Sequence, residues 1–265
     1  HNLKENEFAY RSLSTLKNVI HSKPVINFFL ETEQKIDKAL NIFIRINSGG
    51  EPLSFSDLIM SIAVANWEEK EARQEIHSLT DAIRDKGFYI SKDFILKTFL
   101  YLHSRDIKFK VTNFSKSNAK DFEKEWDIIR DAILSCFDFV KSVGFTDSTL
   151  TSKNVLIPVI YYLYHKKIFK EFSTKTEYVK DREIITKWLH VSLVKRLFGG
   201  TSDSVLNQIR KAFTSDIVSM PFSYEMNFFP VESINKEIKK DTGISDEFIE
   251  ELLLTQKDNK YAFSL

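Results

Sequence analysis

Residues 118–142 read NAKDFEKEWDIIRDAILSCFDFVKS. Phe122, Trp126, Ile129, Ile133, Phe137 and Val140 recur every three or four positions, so at 3.6 residues per turn they fall on one stripe. Gly144, just beyond, is suited to ending a helix in the left-handed conformation. The spacing predicts one long helix, and similar patterns extend outward from it on both sides. Toward the C-terminus they cover 154–170, 181–198, 203–214, 231–240 and 246–256. Gly199-Gly200 closes the second of these windows, and Ser202 opens the third. Toward the N-terminus they cover 91–104, 68–85 and 7–21, the last with Phe8, Leu13, Leu16, Val19 and Ile20. Breaks are expected at Gly87, 105–117, 144–152 and 215–230.

The first third of the chain is different. Pro24 ends the 7–21 window, and Val25-Ile26-Asn27-Phe28-Phe29-Leu30 is short, β-branched and aromatic, which reads as a buried strand. Thr32 is an N-cap for a helix carrying Ile36, Ala39, Leu40, Phe43 and Ile44. Ser48-Gly49-Gly50 stops that helix. Ser54-Phe55-Ser56-Asp57 then opens another, running to about Trp67. Lys108-Phe109-Lys110-Val111-Thr112 alternates as a short strand does. The expected fold is therefore mainly α. A small α/β part occupies 1–68, and a helical domain occupies 69–265 with most of the helix, more than half of the chain overall.

Composition supports packed helices. Gly is 7 and Pro 5 of 265 residues, against an average usage of about 7% and 5%. That excludes collagen, linkers and turn-rich β-sandwiches. Thirty-eight basic against 37 acidic residues leave a net charge of +1, so no chain-wide field draws nucleic acid or membrane. One cysteine, Cys136, forms no internal disulfide and fits a reducing, cytoplasmic setting. No apolar run reaches the 18 or so residues of a membrane span.

The familiar catalytic groups are missing from the sequence. No two of the six histidines lie two to five residues apart, and there is no cysteine pair, so no metal site is expected. Cys136 sits between Ile133 and Phe137 as an inert buried thiol. No G-x-S-x-G, P-loop or G-x-G-x-x-G occurs, and no catalytic residue is assigned. Two segments point to anions instead. Lys166 to Arg182 holds six basic residues against three acidic, with Phe169, Phe172 and Tyr178 interleaved. Such a mix suits phosphates and stacked bases, with Lys166, Lys167 and Lys170 as the DNA contacts. The plainer reading of the same run is a solvated inter-helix loop.

The second segment is Ile42-Phe43-Ile44-Arg45-Ile46-Asn47-Ser48-Gly49-Gly50-Glu51-Pro52-Leu53-Ser54. On a helical wheel Arg45 leaves the face shared by Ile36, Leu40, Phe43 and Ile44, whereas Asn47 turns back at the last turn. Ser48, Gly49 and Gly50 expose backbone N–H groups before the next helix start. Arg45, Asn47 and Ser48 to Gly50 thus form a phosphate or nucleotide cradle. A plain helix–Gly-Gly–helix corner uses the same residues.

The pattern I-F-x-R-I-N-x-G-G-x-x-L-S-x-x-D-L resembles the DUF262 family, the N-terminal domains of GmrSD-type bacterial restriction endonucleases. It is carried by Ile42-Phe43, Arg45-Ile46-Asn47, Gly49-Gly50, Leu53-Ser54 and Asp57-Leu58. Leu156 to Tyr162, Trp188-Leu189 and Phe198 to Asp203 are more loosely similar to the helical part of long members. The resemblance implies a ParB-like α/β domain followed by helices, in a phage-defence protein with NTP hydrolysis and DNA nicking. NTP and a divalent metal belong to the whole protein, and this chain by itself holds no cofactor. The family's D-G-Q-Q-R motif and its H-N-H nuclease segment are absent here. They are expected in N- and C-terminal parts of the same polypeptide, leaving this piece inactive alone. A rival reading is a non-enzymatic helical interaction module.

Overall fold

The computed structural model describes residues 6–24, 30, 32, 38, 42, 57, 60, 61, 66–104, 107, 116–200, 202–213 and 228–254. Of these, 71% are helical, against about 30–35% in an average globular protein. No strand occurs among them. The strands expected at 25–30 and 108–112 lie outside the described residues, apart from Leu30, as does most of the expected α/β region before residue 57.

The chain divides into two compact units, His1–Ile46 and Asn47–Leu265. In the first, helix α1 (Glu7–His21) is capped by Asn6, whose Oδ1 accepts the Ala9 N–H at 3.1 Å. The second unit carries α2 (Ala72–Asp85), α3 (Lys92–His103), α4 (Lys116–Ser142), α5 (Leu156–Lys166), α6 (Val179–Val194), α7 (Ser202–Phe213), α8 (Val231–Glu237) and α9 (Asp246–Leu253). All eight windows expected after Trp67 are helices. The 154–170 window stops earlier, because Lys167 turns left-handed and Phe169–Glu171 forms a separate 3-10 turn.

The packing follows from the patterning. The six stripe residues of α4 are fully buried. In α5 every residue from Leu156 to Leu163 is buried, and in α3 every one from Phe94 to Leu102. Helices apolar all round belong in the middle of a core. Amphipathic neighbours therefore surround them: α4 packs on α5, α3 packs on α5, and α7 packs on both α5 and α8. Pro158 is tolerated because it lies in the first turn, where no intrahelical N–H bond is required.

Polar side chains pin the packing. Lys97 of α3 is buried and pairs with Asp203 of α7 at 2.7 Å. Glu123 of α4 accepts the backbone N–H groups of Glu68, Glu69 and Lys70 at 2.9, 2.6 and 2.7 Å. Burial works to raise the Glu123 pKa, but these three donors outweigh it and hold the carboxyl below its usual range. Trp67 is thereby placed edge-on to Phe122 and Trp126, at ring distances of 5.3 and 5.6 Å.

Candidate anion-binding site

Asp57 is the one part of the Arg45-to-Leu58 motif among the described residues. Arg45, Asn47, Ser48, Gly49 and Gly50 lie outside them. Asp57 is helical, and the Ser61 hydroxyl donates to its carbonyl at 2.9 Å. It lines a cavity of about 310 Å³ together with Met60, Arg73, Ile76, His77 and Lys92.

Two helix starts build the other walls. Arg73 and His77 are one turn apart near the beginning of α2, so they share a face while Ile76 turns into the core. Lys92 is the first residue of α3, directly after Ser91, whose Oγ accepts the Phe94 N–H at 3.3 Å. The Lys92 ammonium is paired with the Asp57 carboxylate. That pair is internally neutral. Arg73 is left with no ion-pair partner among the described residues. Apart from His77, the side chains lining the cavity sum to a charge of +1. Its fork of guanidinium donors, backed by an imidazole, suits a phosphate or carboxylate.

The basic segment is less available than its composition suggested. Arg182 donates to the carbonyls of Phe172 and Lys175 at 2.6 and 2.8 Å, closing the loop between α5 and α6. Lys175 pairs with Glu171, and the Lys180 ammonium lies 4.4 Å from the centre of the Phe228 ring. Phe169 and Phe172 are buried, and Phe172 meets Phe139 at 5.2 Å, so neither ring is free to stack on a base. Burial of the core wins over the base-stacking expected of these rings. Lys166 is half-buried with its ammonium 5.9 Å from the Tyr162 ring centre, while Lys167 and Lys170 are exposed.

A polar network went unread in the sequence. The Tyr164 hydroxyl donates to Glu125 Oε2 at 3.0 Å and lies 3.3 Å from His103 Nε2. His165 packs 4.2 Å from the Tyr161 ring, and His103 stacks on Phe99 at 5.1 Å. Burial, reinforced by His103, pushes the His165 pKa down to about 4. Burial also lowers His103, with Glu125 and Asp121 pulling the other way. Beneath them the buried Arg210 donates to the carbonyls of Tyr101 and Ser104 at 3.4 and 2.5 Å and to Asn207 Oδ1 at 3.3 Å. The groups are far apart in sequence, so no linear motif announces them. Neutral histidines and protonated tyrosines make this a structural network.

Among the described residues no three His, Cys, Asp or Glu side chains converge on a metal-sized site. Cys136 is buried, and desolvation pushes its thiol far above the usual range. A concavity of about 560 Å³ lies between α6 and α8 and is mostly apolar, with Lys187 and Glu232 as its charged lining residues. No described helix is long and apolar enough to cross a membrane. No protein-family model and no curated protein matches this chain.

Proposed function

We propose that this chain is part of a DUF262-type, restriction-like defence protein and that the Asp57 cavity helps bind the phosphates of its nucleotide. The observation that carries the reading is the company Asp57 keeps. A residue of the family-like motif shares a cavity with Arg73, His77 and Lys92, and its own charge is met by Lys92. Arg73 is then a phosphate ligand of the helical part, and Arg45, Asn47 and Ser48 to Gly50 are proposed as phosphate ligands on the motif's own account. Exposed Lys167 and Lys170, with Lys166, give the duplex a weak, salt-sensitive contact. Hydrolysis and strand cleavage belong to the whole polypeptide, since D-G-Q-Q-R and H-N-H segments are not in this chain.

The test is nucleotide binding by the full-length protein, followed with a fluorescent NTP and paired with thermal melts. Arg73→Ala and Arg45→Ala should each weaken binding roughly tenfold or more, the scale of one lost charge-assisted contact. An exposed arginine such as Arg73 changes stability by about 0.5 kcal/mol or less. Arg73→Lys should rescue little, because an ammonium cannot reproduce the fork. Undiminished binding in both alanine variants refutes the phosphate site.

A further inference from the structure

We propose, resting on the phosphate reading of the Asp57 cavity, that His77 is a second anion ligand there and takes up a proton as the anion binds. The site then holds its phosphate more tightly as the pH falls.

Arg73 and His77 stand four residues apart on α2, so their side chains leave one face with roots about 5–6 Å apart. Both are exposed, whereas Ile76 and Leu79 beside them are buried in the core. Arg73 lies in the first turn of α2, at the helix end that favours negative charge. Neither side chain has an ion pair or a hydrogen bond among the described residues. His77 gives only its backbone carbonyl, to the Thr80 hydroxyl at 2.8 Å.

The carboxylates around the imidazole are already paired. On α2, Asp81 lies one turn beyond His77 and binds Arg84 at 2.8 Å. Across the cavity, Asp57 is paired with Lys92 of α3. α4 also packs on α2, but its Glu123 accepts the Glu68, Glu69 and Lys70 amides and its Asp127 binds Lys70 at 2.7 Å. Arg73 is therefore the unpaired charge on the face of His77, and the ring has no resident carboxylate to hold a proton for.

An incoming anion changes that. A neutral imidazole offers one donor and one acceptor nitrogen, and a protonated one offers two donors. An opposite charge within about 4–6 Å favours the charged ring. Such coupling is reciprocal: an anion that promotes protonation is bound more tightly by the protonated site, by the same factor. Charge matching points the same way. The other lining side chains sum to +1, so a protonated His77 makes +2, the counterpart of a doubly charged phosphate.

Sulfate is the probe, because it stays doubly charged from pH 5.5 to 8 while the phosphates of a nucleotide titrate in that range. Histidine changes charge there too. Calorimetric titration of the chain should show roughly tenfold tighter sulfate binding at pH 5.5 than at pH 8, with net proton uptake across buffers of different ionisation enthalpy. His77→Gln should abolish the uptake and flatten the pH dependence at the weak pH 8 level. His77→Arg, charged throughout, should bind at pH 8 as the unaltered chain does at pH 5.5. Arg73→Ala should weaken binding at both pH values. A pH dependence that survives His77→Gln, in a site still sensitive to Arg73→Ala, overturns the role of His77 and leaves the phosphate site standing. Sulfate binding that is absent at pH 5.5, or unmoved by Arg73→Ala, overturns the inference as well, and NTP binding by Arg73→Ala then decides the site itself.

Discussion

Four helices of the second unit end with the same pair of backbone hydrogen bonds but not with the same residue. After α2 and α4 the left-handed residue is Gly87 or Gly144, at φ +93° and +91°. After α5 and α6 it is Lys167 or Arg196, at φ +57° and +50°. The bonding is alike: Phe88 donates to Ile83 O at 3.1 Å and Phe145 to Val140 O at 3.0 Å, as Ile168 does to Leu163 O at 3.2 Å and Leu197 to Ser192 O at 2.9 Å. This double closure is the Schellman arrangement. An L-residue in that conformation costs about 1–2 kcal/mol. A cation near the carbonyl end of a helix regains only about 0.3–1 kcal/mol. The two glycine ends are thus built for stability alone. The two cationic ends give up some stability, and Lys167 stands in the segment proposed to touch duplex DNA.

The glycine ends lean on the aromatic that follows. Phe145 is 5% exposed and lies 4.7 Å from the His190 ring. Phe145→Ala should cost about 3–5 kcal/mol in denaturant unfolding, as truncations of a buried Phe do. A loss below 1 kcal/mol would show that the glycine ends are not anchored in the core.

Acid should separate the two kinds of end. His165 sits two residues before Lys167, with its pKa pushed down to about 4 in the fold, against about 6.5 in the unfolded chain. Between those values the unfolded chain holds the extra proton. The contribution is therefore complete above about pH 6.5 and is lost as pH falls through 4, by at most about 3 kcal/mol. Amide exchange from pH 7 to 4.5 should show the Ile168 N–H losing protection before that of Phe145. Equal loss at both amides contradicts a local effect.

The glycines and cations can also be exchanged. A Cβ added to Gly144 meets nothing within 4 Å, so Gly144→Ala tests the backbone alone and should cost about 1–2 kcal/mol. Arg196→Gly and Lys167→Gly should move the other way, stabilising by up to about 1 kcal/mol. Lys167→Gly should also reduce the salt slope of duplex retention by about 0.9, the share of one phosphate contact. A destabilised Lys167→Gly would mean that its side chain serves the fold.

The helices were legible because their cores are striped, as in α4, or uniformly apolar, as in α3 and α5. Gly87 and Gly144 were readable as breaks for the same reason that they work: no other residue takes their φ so cheaply. Lys167 was not readable, because nothing in a lysine announces a left-handed turn, and the 154–170 window ran past it. The basic run showed its charge but not its commitments. Arg182 binds carbonyls, and Phe169 and Phe172 belong to the core, which only tertiary packing decides. Arg73, His77 and Lys92 lie sixteen or more residues after Asp57, so the cavity has no linear signature.

The helix surrounded on all sides, α5, has a consequence for the chain before it folds. Leu156-Ile157-Pro158-Val159-Ile160-Tyr161-Tyr162-Leu163 is an uncharged octapeptide of branched and aromatic residues. While still exposed, such a stretch is the kind that stacks with copies of itself into cross-β aggregates. Pro158 interrupts it, since a proline cannot donate to a strand ladder. The position that is nearly neutral for the finished helix is therefore the built-in gatekeeper of the nascent one, guarding the segment until α3, α4 and α7 close around it.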